Sequence, residues 1–484
     1  MRVGAGLEAV RGYLEDNKSR HVQRIQRAIR QPSVSTEDLG VVECADLLAE
    51  LHREAGLQEV EVVPTTGLPG LWAYHDAGAA KTIAVYGNFD TRPVLPNEVW
   101  EHPPYGGDIT STSGYSSVLV GRGAYSYKGP YVAWLNALEA LLAVEGSLPV
   151  NVMVLLEGDE ILGSPNYREM FARYRDRLAL ADASLSPGAS QDASGKVTMN
   201  LGYKGMIYVD LVASGASWGR GPQGGPLHGM TKSVVDSPVW RLVHALGSLT
   251  EPDGNRVAVQ GFYDDLTPPT TEERRWIEEY KASLGADGWK KVLPGVGAAP
   301  VPAGDLSDEE TIANYFYGPS LNINGLVGGF TGPGTLPFSL PHQASARFDI
   351  RVPRGYGADR TVRLIRDHLD ARGYGDVEMR VMGAFDPSTA DRESELVRSL
   401  ERAFREMEVP LVTAPCSGGG GPWSMCNTEL GMPVIRSVGV GGGGGTGGAN
   451  EYMVIEGTDT VGGLVECELS HVHMLKSYAR GMDR

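Results

Sequence analysis

Two short, almost wholly apolar runs, Thr82-Ile83-Ala84-Val85-Tyr86 and Val152-Met153-Val154-Leu155-Leu156, constrain the fold more than anything else in the chain. Runs so short and so rich in β-branched residues predict strands buried on both faces, because a strand with one wet face alternates apolar with polar residues. Between them, Pro130 to Val144 carries Val132, Leu135, Leu138 and Leu141-Leu142 at helical spacing. Strand, loop, helix, strand is the pattern of an α/β protein. Val60-Glu61-Val62-Val63 and the runs Leu178 to Ala181 and Met206 to Leu211 predict further strands. The stretch before Val60 reads as helices, with Ser35-Thr36-Glu37-Asp38 placed to cap a segment in which Val41, Cys44, Ala45, Leu48 and Leu51 recur, ended by Gly56.

The texture changes after Ala213. Helices are predicted from Pro238 to Leu249, Thr271 to Ser283 and Asp359 to Ala371, and alternating strands at Ser320 to Leu326, Gln343 to Val352 and Val377 to Val381, with a Pro/Gly connector from Leu293 to Pro302. A helix over 390–407, a strand from Pro433 to Val438 and a closing helix from Asp459 to Tyr478 then return to the first style. The expected organisation is a catalytic domain, residues 1–212 and 386–484, interrupted by an α+β domain over residues 213–385.

Charge narrows the function. Acidic residues number 60 against 43 basic, a net charge of -17, which repels phosphate backbones; no nucleic-acid partner is expected. The sequence offers neither a signal-peptide core nor a long apolar run, so no membrane association is expected. Four cysteines, Cys44, Cys416, Cys426 and Cys467, fall in no metal-knuckle spacing and suit a reducing cytoplasm.

In α/β sheets the working residues lie just beyond the carboxyl ends of strands. Three expected strand ends carry acids: Asn88-Phe89-Asp90, Glu157-Gly158-Asp159-Glu160 and Asp182. Acids so gathered repel one another unless a proton, a cation or a substrate ammonium is shared.

The ordered segments YGNFDTRP, GRGAYSYKGP, LLEGDEILGSPN, ALADA, NLGYKG, NINGLVGGFTGPG, LPHQASARFDIRVP and GGANE make the resemblance specific. The chain resembles the M20 family of zinc aminopeptidases, carboxypeptidases and dipeptidases, most of all its carnosinase and cytosolic nonspecific dipeptidase branch. The resemblance implies a zinc-peptidase-like catalytic domain with a mixed central sheet and an inserted lid and dimerisation domain, hence a homodimer. It also implies a small amino-acid-like or dipeptide-like substrate.

By the same resemblance, most of the family's metal ligands are replaced. Asn88 stands at the ligand histidine, Ser126 at the bridging aspartate, Ile161 at the ligand glutamate and Gly447 at the late histidine, leaving Asp182 as the last ligand. Zinc needs three or four N, S or carboxylate donors, so neither zinc nor any other cofactor is expected. Glu160 matches the family's general base, with Asp90 and Asp182 as its catalytic neighbours. Arg351, in FDIRVP, matches the arginine that clamps a substrate carboxylate. Asn88, Ser126, Tyr125, Tyr127, Lys128, Asn450 and Glu451 are expected to line the substrate site. Arg220 and His228 are candidates to replace the lid histidine, and Ser417 opens the glycine run Gly418 to Gly421. Gly441 to Gly445 is read as either an anion nest or a mobile loop.

Acid–base groups without a Lewis acid favour hydrolysis, acyl transfer or cyclisation at an amide or related bond, with Glu160 as base. A divergent metal-dependent dipeptidase or amidohydrolase, and a noncatalytic binding homologue, remain as alternatives.

Overall fold

The computed structural model of the chain describes residues 2–285, 307–332, 334 and 338–481. The connector expected from Leu293 to Pro302 lies outside them. The chain divides into two compact units, one of residues 1–202, 389–415 and 425–484, the other of residues 203–388 and 416–424. The first boundary falls ahead of the strand Gly205–Ser214, which is an interior strand of the second unit's sheet.

The first unit is built on a six-stranded mixed sheet in the order Glu59–Val63, Gly70–His75, Asn151–Glu157, Thr82–Asn88, Ala183–Pro187, Val434–Val438. The last four are mutually parallel, and the first two run antiparallel to their neighbours. Every residue of Asn151–Glu157 is buried, as its unbroken apolar run requires. The helix Lys128–Glu145 is apolar around nearly its whole circumference because it packs against both Arg2–Arg30 and Leu464–Arg480.

From Thr82–Asn88 the chain crosses first to Asn151–Glu157 on one side and later to Ala183–Pro187 on the other. The order therefore reverses at Thr82–Asn88, and the crevice beyond its carboxyl end is the position where open α/β sheets bind ligands. A second, antiparallel sheet of the unit joins Gly443–Gly444, Tyr452–Glu456, Tyr115–Val120 and Asp108–Thr112.

Two local expectations change. The strand expected over Leu178 to Ala181 is instead the end of the helix Tyr167–Leu178 and a turn, and the strand begins at Ala183. Of that stretch, Leu178 finishes a helix whose buried face also holds Met170, Phe171 and Tyr174. Ser35 does not cap the next helix. Val41–Glu54 starts from Gly40, whose φ of 69° lies in the left-handed region and whose Cβ position is blocked by the Pro32 carbonyl.

The second unit carries a four-stranded antiparallel sheet in the order Ser320–Val327, Gln343–Val352, Gly205–Ser214, Glu378–Phe385. Its core joins Ile207, Val209 and Leu211 to Phe348 and Ile350, under Leu242 of the helix Pro238–Gly247 and Ile365 of the helix Ala358–Ala371. Among the described residues no helix is long and apolar enough to cross a membrane.

Candidate active site

The loop after Thr82–Asn88 is fastened before it carries any chemistry. Phe89 N donates to Glu157 O at 3.0 Å, Thr91 N to Ser33 O at 2.7 Å, and Ser33 Oγ to Phe89 O at 2.6 Å. The segment Ser33–Ser35 is thereby zipped along residues 89–91. Asp90 lies between them, fully buried. One of its carboxylate oxygens accepts from Ser35 Oγ at 2.7 Å and Ile161 N at 2.9 Å, the other from Asn88 Nδ2 at 3.2 Å. Burial, then the nearby Glu160 charge, outweigh these donors and push Asp90 up to about 7.

The next strand end repeats the pattern with a different outcome. Glu157 is fully buried, accepts from Tyr86 Oη and from Ser164 Oγ at 3.0 Å, and is held well above the usual carboxylate range by burial. Asp159 is buried and takes the Asn166 amide. Glu160 opens the short 3₁₀ turn Glu160–Leu162, closed by Gly163 in a left-handed conformation. Its carboxylate is half-exposed and, among the described residues, accepts no hydrogen bond. Of the four acids here, Glu160 alone is not buried; one carboxylate oxygen each of Glu157 and Asp159 is buried without a partner among the described residues.

Asp182 is not part of this cluster. It stands before Ala183–Pro187, where its carboxylate accepts Thr82 N at 2.8 Å. Thr82 starts the strand that Asn88 ends, so Asp182 lies roughly 20 Å from the other acids at ~3.3 Å per residue. Its expected catalytic and ligand roles are withdrawn. The residues at the proper end of that strand are Ser186 and Pro187.

Glu451 is likewise used inside the fold rather than beside a substrate. Its buried carboxylate accepts five donors: Tyr125 N (3.0 Å), Ser126 N (2.6 Å) and Ser126 Oγ (2.7 Å) on one oxygen, Gly123 N (2.9 Å) and Gly447 N (3.3 Å) on the other. These bonds shape the loop that ends in Tyr127 and starts the helix Lys128–Glu145. Glu451→Gln would turn an amide N–H₂ toward at least two of those N–H groups. With charge-assisted bonds worth ~1.5–3 kcal/mol each, a loss of about 2–4 kcal/mol of stability is expected, read as a lower urea midpoint.

Lys128 is also buried, and it donates to Gln31 O at 2.6 Å, so it tethers that segment instead of facing a ligand. Asn450 holds the neighbouring loop by accepting Glu101 N at 2.8 Å and donating to Val99 O at 3.2 Å. Tyr125 lies against Gly443, where any Cβ would enter its ring, and burial raises its hydroxyl to about 12.

A pocket at the reversal of strand order is lined by Asn88, Ser126, Tyr127, Ser186, Arg436 and Ser437 among others. Arg436 Nη2 lies 3.4 Å from Asn88 Oδ1, and the guanidinium sits 5.2 Å from the centre of the Tyr86 ring. Burial raises the Tyr127 hydroxyl above all, the charges of Glu160 and Asp90 add to the rise, and those of Arg436 and Arg92 oppose it. Gly447 packs on Arg92: a Cβ there would lie 3.2 Å from Arg92 Cδ and 3.3 Å from Nε and Nη1, on a backbone with φ of 65°.

Ser35, Arg92 and Arg436 carry this geometry without having been expected in it. Ser35 reads as a helix cap, and Arg92 as part of the NFDTRP loop. Arg436 has a visible signal, one charge inside the apolar run Val434-Ile435-Arg436-Ser437-Val438.

The remaining expected residues belong to the second unit. Arg351 Nε pairs with Asp349 at 2.8 Å, and Arg220 Nε with Asp236 at 2.6 Å. His228 Nδ1 accepts Met230 N at 3.2 Å, and Ser417 Oγ accepts Gly419 N at 3.1 Å.

The residues present do not fit the family's zinc pair. Asn88, Ser126, Ile161 and Gly447 bring no imidazole or carboxylate, the Ile161 amide is spent on Asp90, and the guanidinium groups of Arg92 and Arg436 lie beside Gly447 and Asn88. Among the described residues, no group of three or more His, Cys, Asp or Glu side chains could hold a metal ion.

Comparison with known proteins agrees with the fold. The sequence profile of Peptidase family M20/M25/M40 matches residues 84–462. The chain is 25% identical over 392 residues to a Cys-Gly metallodipeptidase of Candida albicans, covering 75% of each, and 30% identical over 301 residues to the Homo sapiens Beta-Ala-His dipeptidase, covering 60% of this chain and 53% of that one. Among solved structures, an M20 family metallo-carboxypeptidase from Sulfolobus solfataricus superposes with a TM-score of 0.77 at 26% identity, over 95% of this chain and 99% of that one.

Proposed function

The chain belongs to the M20/M25/M40 peptidase family and is an enzyme of hydrolase type, and from that premise we propose that it acts on an amide or related bond of a small amino-acid-like substrate without stoichiometric zinc. The observation that carries this reading is the state of Glu160: partly exposed, with a carboxylate that accepts no hydrogen bond among the described residues, and set beside a buried Asp90 pushed up to about 7. Such a carboxylate is placed to take a proton from an incoming nucleophile. Water as nucleophile gives hydrolysis; an amine or hydroxyl gives acyl transfer or cyclisation. Likeness to Cys-Gly and Beta-Ala-His dipeptidases supports a substrate of dipeptide size.

The test is a panel of dipeptides and N-acylated amino acids, followed by mass-resolved product assay with and without chelator, beside elemental analysis of protein purified without metal-affinity steps. Turnover indifferent to chelator, on protein holding well under one zinc per chain, is expected. Activity abolished by chelator and restored by zinc would overturn the reading.

We further propose a homodimer formed through the second unit. Its edge strand Ser320–Val327 is exposed along most of its length, with Ile323, Leu326 and Val327 open to solvent. An unpaired apolar edge is a template for a twin strand. Light scattering should give the mass of two chains, and a monomer mass at working dilution would contradict this. Four buried free cysteines suit a reducing cytoplasm.

A further inference from the structure

The pocket at the strand-order reversal contains a group that the catalytic reading does not use. Ser186 lines it, is 2% exposed, and its Oγ has no hydrogen-bond partner among the described residues. A buried hydroxyl without a partner carries a desolvation penalty that a bound polar ligand would relieve. Arg436 lines the same wall from the adjacent strand, with Asn88 beside it at 3.4 Å. Ser437 completes that wall with a φ of 56°, a left-handed backbone that non-glycine residues rarely adopt and that gathers at ligand sites. Its backbone lies 2.5 Å from where a Cβ on residue 188 would be, so the chain has Gly188 there.

The opposite side is formed differently. Tyr131 lines the pocket too, but its hydroxyl donates to His52 Nε2 at 2.6 Å, while His52 Nδ1–H donates to Leu48 O, so it is already committed. The Arg436 guanidinium reaches back across Ala183–Pro187 to Asn88 and the Tyr86 ring on Thr82–Asn88, the strand next to Asn151–Glu157, which Glu160 follows.

We propose that Arg436 and Ser186 form a carboxylate-binding subsite that anchors the acid end of the substrate while its amide lies toward Glu160. The inference rests on the amino-acid-like substrate proposed above and adds which part of that substrate meets which wall. A guanidinium presents several N–H groups in one plane and matches the two oxygens of a carboxylate; the serine hydroxyl adds a donor from the neighbouring strand.

Propionate, which has no amide to cleave, separates this subsite from catalysis. Ligand-observed NMR should detect its binding to the native chain. Arg436→Gln should weaken binding at least tenfold, and Arg436→Lys should recover part of the loss. Ser186→Ala is the sharper variant, because it removes a hydroxyl the unliganded fold does not satisfy: its melting temperature should hold or rise while propionate binding falls about threefold or more. Propionate binding unchanged in both Arg436→Gln and Ser186→Ala would overturn the proposal, as would tighter binding of inorganic phosphate than of propionate. If Arg436→Gln fails to fold, Ser186→Ala alone decides. Glu160→Gln should leave propionate binding intact, so loss of turnover with binding retained tells failure of one reading from failure of the other.

Discussion

Glu160→Gln is expected to slow turnover by roughly 10²–10⁴-fold, the usual contribution of a positioned general base. The amide keeps the size of the side chain and removes only its capacity to accept a proton. Because Glu160 is partly exposed and its carboxylate makes no hydrogen bond among the described residues, the substitution releases no buried partner, and stability should stay within the ±0.5 kcal/mol typical of surface changes. That separation is the diagnostic. A rate loss with stability unchanged assigns the proton transfer to Glu160, and full activity in the variant would remove it from the mechanism.

The second large effect is a pH-dependent loss of stability carried by Asp90. Its folded value of about 7 stands above the ordinary 3.8 because burial disfavours the charged form. Between those two values the unfolded chain has released a proton that the folded chain still holds, so stability falls as pH rises and the loss is complete above pH 7. At 1.36 kcal/mol per unit, the two units between pH 5 and 7 amount to about 2–3 kcal/mol. Asp90→Asn has no proton to lose. The native chain should therefore give up ~2–3 kcal/mol more than this variant between pH 5 and pH 8 in paired urea titrations. Parallel curves would show that Asp90 is ionised throughout. The same titration should bend the native rate profile near pH 7, and the bend should vanish in Asp90→Asn.

Much of this site can be read from residue order, and the unreadable part has a physical reason. Thr82–Asn88 and Asn151–Glu157 announce themselves because parallel strands buried on both faces must be continuously apolar. Their carboxyl ends then place Asp90 and Glu160 correctly. Asp182 fails for the converse reason. Of Leu178 to Ala181 only Leu178 is helical and buried while Leu180 is exposed in the turn that follows, and a four-residue apolar run does not disclose whether it belongs to a helix end or a strand. Misplacing that strand by one element moves Asp182 from one end of the sheet to the other. Ser35 shows a different blindness, since a serine before a helical pattern signals a cap, and only the tertiary fold brings it to Asp90 instead. Arg436 depends on strand order, which places Val434–Val438 beside Ala183–Pro187 although some 250 residues separate them in the chain.

Gly447 bears on the history of the site. A histidine restored at that position would acquire a Cβ on left-handed backbone, at roughly 1–2 kcal/mol, and would press on the Arg92 side chain 3.2 Å away. It would gain no metal in return until donors also reappeared at Asn88, Ser126 and Ile161. Each single reversion is thus opposed locally and rewarded only in company with the others. Backbone conformation and the packing of Arg92 therefore oppose a metal-ligating side chain at position 447 independently of the donors missing at Asn88, Ser126 and Ile161.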